Sequence, residues 1–126
     1  MPSSVEDFWP DAINVTDDCF PLNIMRVQAQ LLSRKTKGLL EANVKTIPKC
    51  NGLLICGFII KIPALNYSVT LFTVTFTTYG YYVEQSNISK QIDNDEDFLA
   101  WFKDCLSSEN TTHIINQMAA FASAAE

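Results

Sequence analysis

The sequence predicts an α+β fold: an antiparallel four-stranded meander with one N-terminal and two C-terminal helices, in the order α-β-β-β-β-α-α. Between Leu53 and Val83, runs of β-branched and aromatic residues are interrupted by turn residues, which is typical of antiparallel strands. Before and after that stretch, apolar residues recur at intervals of three and four, which indicates amphipathic helices. Helices segregated from strands along the chain favour the α+β class.

The length of 126 residues suits one domain, 1–126, with a single hydrophobic core. Residues 1–20 carry five acidic side chains and no basic one, and we interpret them as an arm that is either docked through Phe8 and Trp9 or flexible. No apolar run is long enough to span a membrane, and the N-terminus has no apolar signal core. We therefore expect a cytoplasmic protein with no membrane contact, in which the four cysteines are free thiols.

The first helix is predicted over about residues 21–37. Pro21 fits the first helical turn, where its missing N–H would have no intrahelical partner. Ile24, Met25 and Ala29 begin a stripe with helical spacing. Gly38 is expected to end the helix, because glycine readily adopts the positive φ of a helix C-cap.

A β-hairpin should follow this helix. Leu40, Ala42 and Val44 alternate with polar residues and predict its first strand. Asn51-Gly52 is the strongest short signal for a two-residue type I′ turn. Such a turn would place Val44 opposite Ile59.

This predicted register divides the apolar residues of the hairpin between the two faces of the sheet. Both faces of the second strand would be apolar, and in an antiparallel sheet both would then need a cover. The helices would cover one face, and a second subunit, a partner or the 1–20 arm would cover the other. The residues expected on that other face are Ile47, Leu54, Cys56, Phe58 and Ile60.

The third strand is predicted over Ser68–Thr77, with Phe72, Val74 and Phe76 on one face and mainly threonines on the other. A turn at Tyr79-Gly80 should lead to a fourth strand over residues 81–85. The polar residues 86–94 are expected to form a loop.

Two helices should close the chain. The first is predicted over about residues 95–107, with an N-cap supplied by Asp93, Asn94 or Asp95 and acidic residues in its first turn, where the helix dipole favours them. The second should be capped by Asn110 or Thr111.

Several segments resemble a group of small uncharacterised bacterial proteins. The resemblance implies an α+β fold over most of the chain and brings no activity, cofactor or catalytic residue with it. The residues that carry it are Asn23–Arg26, Gln28-Ala29, Leu31-Leu32, Lys35-Thr36, Phe98, Leu106–Glu109 and Ile114-Ile115.

The sequence argues against catalysis. His113 is the single histidine, and its spacing from Cys105 does not favour a catalytic pair. The acidic run 93–97 lacks the glycine and terminal glutamate of a calcium loop, so a helix N-terminus is the better interpretation. A pI near 4.7 argues against a nucleic-acid partner. We expect no enzyme activity, no cofactor and no metal.

We therefore expect a non-catalytic interaction or regulatory protein that acts through a homodimer or a partner interface on the sheet. Tyrosine is enriched at interfaces, so the expected interface includes tyrosines near Gly80 as well as apolar residues of the hairpin. The alternative is a small-molecule binder or enzyme with a pocket between sheet and helices and Trp101, Tyr81 and Tyr82 near its mouth. The expected interface residues are Ile47, Leu54, Phe58, Ile60, Tyr79 and Tyr81.

Overall fold

The computed structural model describes residues 6, 8–11, 20–48 and 53–125, without the side chains of Phe20, Ile47 and Pro48. Most of the predicted 1–20 arm and the Asn51-Gly52 turn lie outside these residues. The elements, in chain order, are α1 (Phe20–Lys35), β1 (Glu41–Pro48), β2 (Leu54–Ile62), β3 (Tyr67–Thr77), β4 (Gly80–Gln85), β5 (Ile88–Ile92), α2 (Asp95–Ser107) and α3 (Glu109–Ala124). The α+β class, the antiparallel sheet, the N-terminal helix and the two C-terminal helices are confirmed.

The sheet formed by the described residues has five strands, so the prediction of four is wrong. All neighbours are antiparallel and follow chain order, β1-β2-β3-β4-β5, as in a meander. The extra strand, β5, lies in the stretch expected to be a loop. Ser86 and Asn87 have φ of 50° and 69°, the positive values that a two-residue hairpin turn with right-handed twist requires. Its polar residues are exposed at the sheet edge, and they hid the strand from pattern analysis.

The predicted register of the first hairpin is wrong by one residue. Val44 pairs with Phe58, and the pairing continues to Pro48 opposite Leu54. Five residues, 49–53, therefore separate the last paired positions, where a two-residue turn was expected. A slip of one residue in a strand of period two reverses which side chains share a face.

The corrected register moves Phe58 and Ile60 into the main core. Together with Cys56 they share a face with Ala42 and Val44, and the helices pack on that face. Phe58 is 1% exposed and Ile60 is 0% exposed. The prediction that they lie on a face in need of a second cover is wrong, and the opposite face of β2 carries Ile55 and Ile59 instead.

A β-bulge in β3 changes the predicted faces of that strand only at its start. Phe58 pairs with Phe72 but Ile59 pairs with Thr70, so one extra residue, Leu71, lies between the two pairings. Leu71 is buried, although alternation predicted it on the threonine face. Beyond the bulge, Phe72 and Val74 are buried as predicted.

The helix ends follow local chemistry. At the end of α1, Lys37 has φ of 54°, its N–H donates to the Arg34 carbonyl, and the Gly38 N–H donates to the Ser33 carbonyl. This is a Schellman motif in which a lysine occupies the left-handed position and glycine follows it. Of the three residues predicted as possible caps of α2, Asn94 is the cap, and its side chain accepts from the Asp97 N–H.

The cap of α3 is Ser108 rather than Asn110 or Thr111, since its hydroxyl accepts from the Thr111 N–H. The three helices lie on one face of the sheet, where α2 contributes Phe98 and Phe102 to an aromatic cluster with Phe58 and Phe72. Within the described ranges, no helix is long and apolar enough to cross a bilayer.

Candidate functional site: an apolar groove between helices

An apolar groove lies between α1 and the two C-terminal helices. It consists of two adjacent cavities, of about 480 Å³ and about 400 Å³, and we refer to the pair as the helix groove. Gln28 and Leu106 line both cavities. The other residues of the larger cavity are Leu31, Leu32, Lys35, Phe58, Ile60, Leu71, Thr111 and Ile115. The other residues of the smaller cavity are Ile24, Leu99, Phe102, Lys103 and Ser107.

One wall of the helix groove is a single stripe of α1. Ile24, Gln28, Leu31 and Lys35 follow one another at intervals of three and four, so they lie along one side of the helix. The stripe is about 16 Å long, from a rise of about 1.5 Å per residue. Met25 and Ala29, one position further round, are buried against the sheet and hold the helix in place.

The floor and the opposite wall come from distant parts of the chain. Phe58, Ile60 and Leu71 form the floor, and the C-terminal helices supply the wall. The apolar stripes of the helices are visible in the sequence, but the gap between the helices is not, because the distance between two helices depends on how both pack on the sheet. Leu71 reaches the floor only because of the β-bulge.

The rim of the groove on α1 is apolar as well. Val27 and Leu31 are 49% and 44% exposed, so apolar surface continues from the larger cavity onto the outer side of the helix. Single exposed apolar residues are common in proteins, whereas apolar side chains that border an apolar cavity mark binding grooves.

Among the described residues, the lining of the groove contains no histidine, carboxylate or cysteine. Lys35 and Lys103 are the titratable side chains that line it, one in each cavity. Burial raises the pKa of the Cys105 thiol to about 11, and its neighbours Thr111 and Gln85 offset part of that rise. At neutral pH this cysteine is a protonated thiol, which is a poor nucleophile.

No metal centre is found within the described residues, since no three His, Cys, Asp or Glu side chains come together in a way that could hold an ion. His113 is exposed on α3 and lines neither cavity of the helix groove.

The predicted interface residues lie in different parts of the structure. Phe58 and Ile60 are in the core, and the side chain of Ile47 lies outside the described residues. Leu54 and Tyr81 pair with the same residue, Phe76, so they lie on the same end of the helix-covered face. Tyr79, 89% exposed, lies in the hairpin turn at that end.

Tyr81 is engaged within the subunit. Its ring packs edge-on against Phe76 and Phe98, and its hydroxyl donates to the carboxylate of Asp95. This contact joins β4 to the first turn of α2. Tyr81 therefore helps to position α2, which forms one wall of the helix groove.

The alternative site with Trp101, Tyr81 and Tyr82 at its mouth is not assembled as expected. Trp101 lines a separate cavity of about 540 Å³ beside Val83 and Ile88, whereas Tyr82 projects from the opposite face of β4. This cavity lies between the sheet and the C-terminal helices, since Ser108 and Asn110 line it as well, but neither Tyr81 nor Tyr82 does. The helix groove is a different cavity between sheet and helices, on the α1 side.

The chain was compared with family models, with curated proteins and with solved structures, and none of them matches. The resemblance to small bacterial proteins stays a prediction. The helix groove and the charges around it are therefore the basis for a functional proposal.

Proposed function

We propose that this chain is a non-catalytic interaction protein that receives an apolar segment of another polypeptide in the helix groove. The observation that carries the proposal is the groove itself, an open cavity of about 480 Å³ with a second of about 400 Å³ beside it. Both volumes lie in the range of ligand sites, about 300–1,000 Å³. The proposed binding surface thus lies between the helices, whereas the sequence led us to expect it on the sheet.

The chemistry of the lining supports binding without catalysis. Apart from two lysines, the polar side chains that line the two cavities are Gln28, Thr111 and Ser107. An amide and two hydroxyls can orient a ligand by hydrogen bonds. A general base, a carboxylate pair or an activated nucleophile would be needed for hydrolysis or group transfer, and the described lining supplies none of these.

The rim favours a polypeptide over a small ligand. A small molecule is mostly enclosed by its pocket, whereas a protein segment also covers apolar surface around it. Val27 and the outer part of Leu31 are such surface. Burying these side chains would add to the affinity for a long ligand and not for a compact one.

Substitution of Gln28, which lines both cavities, tests this proposal. We expect the tryptophan of Gln28→Trp to fill the groove and to lower the affinity of groove-binding peptides about tenfold or more. The peptide would lose apolar contacts with the groove, and we expect that loss to cost more than about 1.4 kcal/mol of binding free energy. Peptides would be selected from a random display library on the unmodified protein, and their affinities measured by fluorescence anisotropy.

The matched control is Gln30→Trp, the same change at an exposed position of the same helix. Peptides that bind this variant as tightly as the unmodified protein, but not Gln28→Trp, support the proposal. Selected peptides that bind both tryptophan variants equally well, or a library that yields no binder, would contradict it.

A homodimer formed through the open face of the sheet is the second candidate. The observation that favours it is that β2 is apolar on this side as well, at the half-buried residues Ile55 and Ile59. Tyr82 on β4 is 47% exposed on the same face and adds aromatic surface. Two such faces could pack as in a β-sandwich.

Light scattering tests the homodimer. We expect a dimer whose dissociation constant rises at least about tenfold in Ile59→Glu, because the glutamate would place a charge in the interface. Thr112→Glu, the same charge on the exposed side of α3, serves as control and should not change the mass. A monomer in the unmodified protein at high micromolar concentration would rule this candidate out.

A further inference from the structure

We infer that the occupant of the helix groove is an amphipathic α-helix of a partner protein, about three turns long, with an acidic residue near each end. This inference rests on the function proposed above and names the partner class. Its support comes from the shape of the groove and from the placement of its charges.

The length of the groove fits about three turns of helix. The α1 stripe runs from Ile24 to Lys35, and the two cavities lie one after the other along it, meeting at Gln28. A rod-like ligand with apolar side chains at successive positions would enter both cavities. An α-helix with apolar residues at i, i+4, i+7 and i+11 covers about 16 Å, which is the length of the stripe.

The charged side chains of the groove fit a helix with acidic ends. The smaller cavity, at the Ile24 end, carries Lys103, and the larger cavity carries Lys35 at the other end. These are the only charged side chains among the described lining residues. A carboxylate at each end of a bound helix would therefore meet an ammonium group, whereas a basic helix would meet repulsion at both ends.

The two walls of the groove differ in charge. The described helix α1 contains Arg26, Arg34 and Lys35 and no acidic residue, whereas α2 contains Lys103 and four acidic residues, Asp95, Glu96, Asp97 and Asp104. None of those four carboxylates lines either cavity. The charged side chains that line the groove are therefore basic, although the whole chain has a net charge of −5, and this favours acidic groups on a bound helix at short range.

The test uses three synthetic peptides of about 16 residues, long enough for the required turns of helix. The first has leucines at helical spacing and glutamates at both ends, the second has lysines in place of the glutamates, and the third is a scrambled version of the first. We expect the acidic amphipathic peptide to bind at least about tenfold more tightly than the other two, since two ion pairs replace two repulsive contacts.

Charge reversal provides the decisive variant. In Lys35→Glu/Lys103→Glu the preference should invert, so that the basic peptide binds more tightly than the acidic one. Lys45→Glu/Lys90→Glu is the matched control, because it also changes the net charge by four units, from −5 to −9, at exposed positions outside the groove. That control should keep the preference for the acidic peptide, and added salt should reduce the preference.

Three results would overturn the inference. They are equal affinities for the acidic and basic peptides, equal losses in the two charge-reversed variants, and binding of a free fatty acid such as dodecanoate with no binding of the amphipathic peptides. The first two results leave the proposed function intact if Gln28→Trp still weakens peptide binding. If Gln28→Trp has no effect on peptide binding, the proposed function fails as well, so the two failures are distinguishable.

Discussion

Phe58→Ala should lower the free energy of unfolding by about 3–5 kcal/mol, the usual cost of removing a buried phenylalanine. Phe58 is fully enclosed, its ring stacks on Phe72 at a centroid distance of 5.3 Å, and it meets Phe102 edge-on at 6.2 Å. Removal of the ring would leave a cavity in the aromatic cluster that joins the sheet to α2. Urea unfolding followed by circular dichroism measures the loss.

The neighbouring residue is the control for this prediction. Ile59 lies on the other face of β2 and is half-buried, so Ile59→Ala should cost only about 1 kcal/mol. If Phe58→Ala fails to fold, Phe58→Leu should still fold and lose less, about 1–2 kcal/mol, because most of the volume is kept. If Ile59→Ala lowered the free energy of unfolding more than Phe58→Ala, Ile59 rather than Phe58 would face the helices, as the two-residue turn predicted.

Gly80→Ala is expected to cost about 2–3 kcal/mol, as a residue forced into a disfavoured backbone conformation with a close contact. Gly80 begins β4 with φ of 157°, and a Cβ at this position would lie 2.6 Å from the carbonyl oxygen of Ile92. That oxygen belongs to the backbone of β5, so it cannot move without shifting the strand. The expected loss is again measurable by urea unfolding.

Two other glycines serve as controls that distinguish the two causes of the stability loss in Gly80→Ala, the close backbone contact and the positive φ. At Gly57 the nearest atom to an added Cβ would be 3.7 Å away, so Gly57→Ala should leave the stability unchanged or raise it slightly. At Gly38 φ is 83° and an added Cβ would meet nothing within 4 Å, so Gly38→Ala should cost about 1 kcal/mol from the backbone conformation alone. Equal stability changes at Gly57 and Gly80 would show that the contact with Ile92 is not what requires glycine.

Local signals predicted the helices well. The helix over 95–107 and its cap at Asn94 follow from a polar residue before an amphipathic stripe, and both are interactions between residues close in sequence. The N-terminal helix was predicted to within two residues at its end, where both Lys37 and the predicted Gly38 have positive φ. Helix boundaries depend on the few residues around them.

The strands were harder to predict because pairing joins distant residues. Asn51-Gly52 favours a two-residue turn, but the observed register leaves five residues between the paired ends. The difference of one residue decides whether Phe58 or Ile59 faces the helices. The fifth strand has few apolar residues, and its pairing with β4 was therefore not visible in a pattern of hydrophobicity.

The sequence by itself determined where the three helices and four of the five described strands lie, since periodicity, caps and turn residues act over a few positions. It also indicated that β2 would be apolar on both faces. Tertiary packing alone decided which face of β2 the helices cover and where a groove remains between α1 and the C-terminal helices. A space between elements depends on contacts among residues far apart in the chain, so the sequence pattern did not show it.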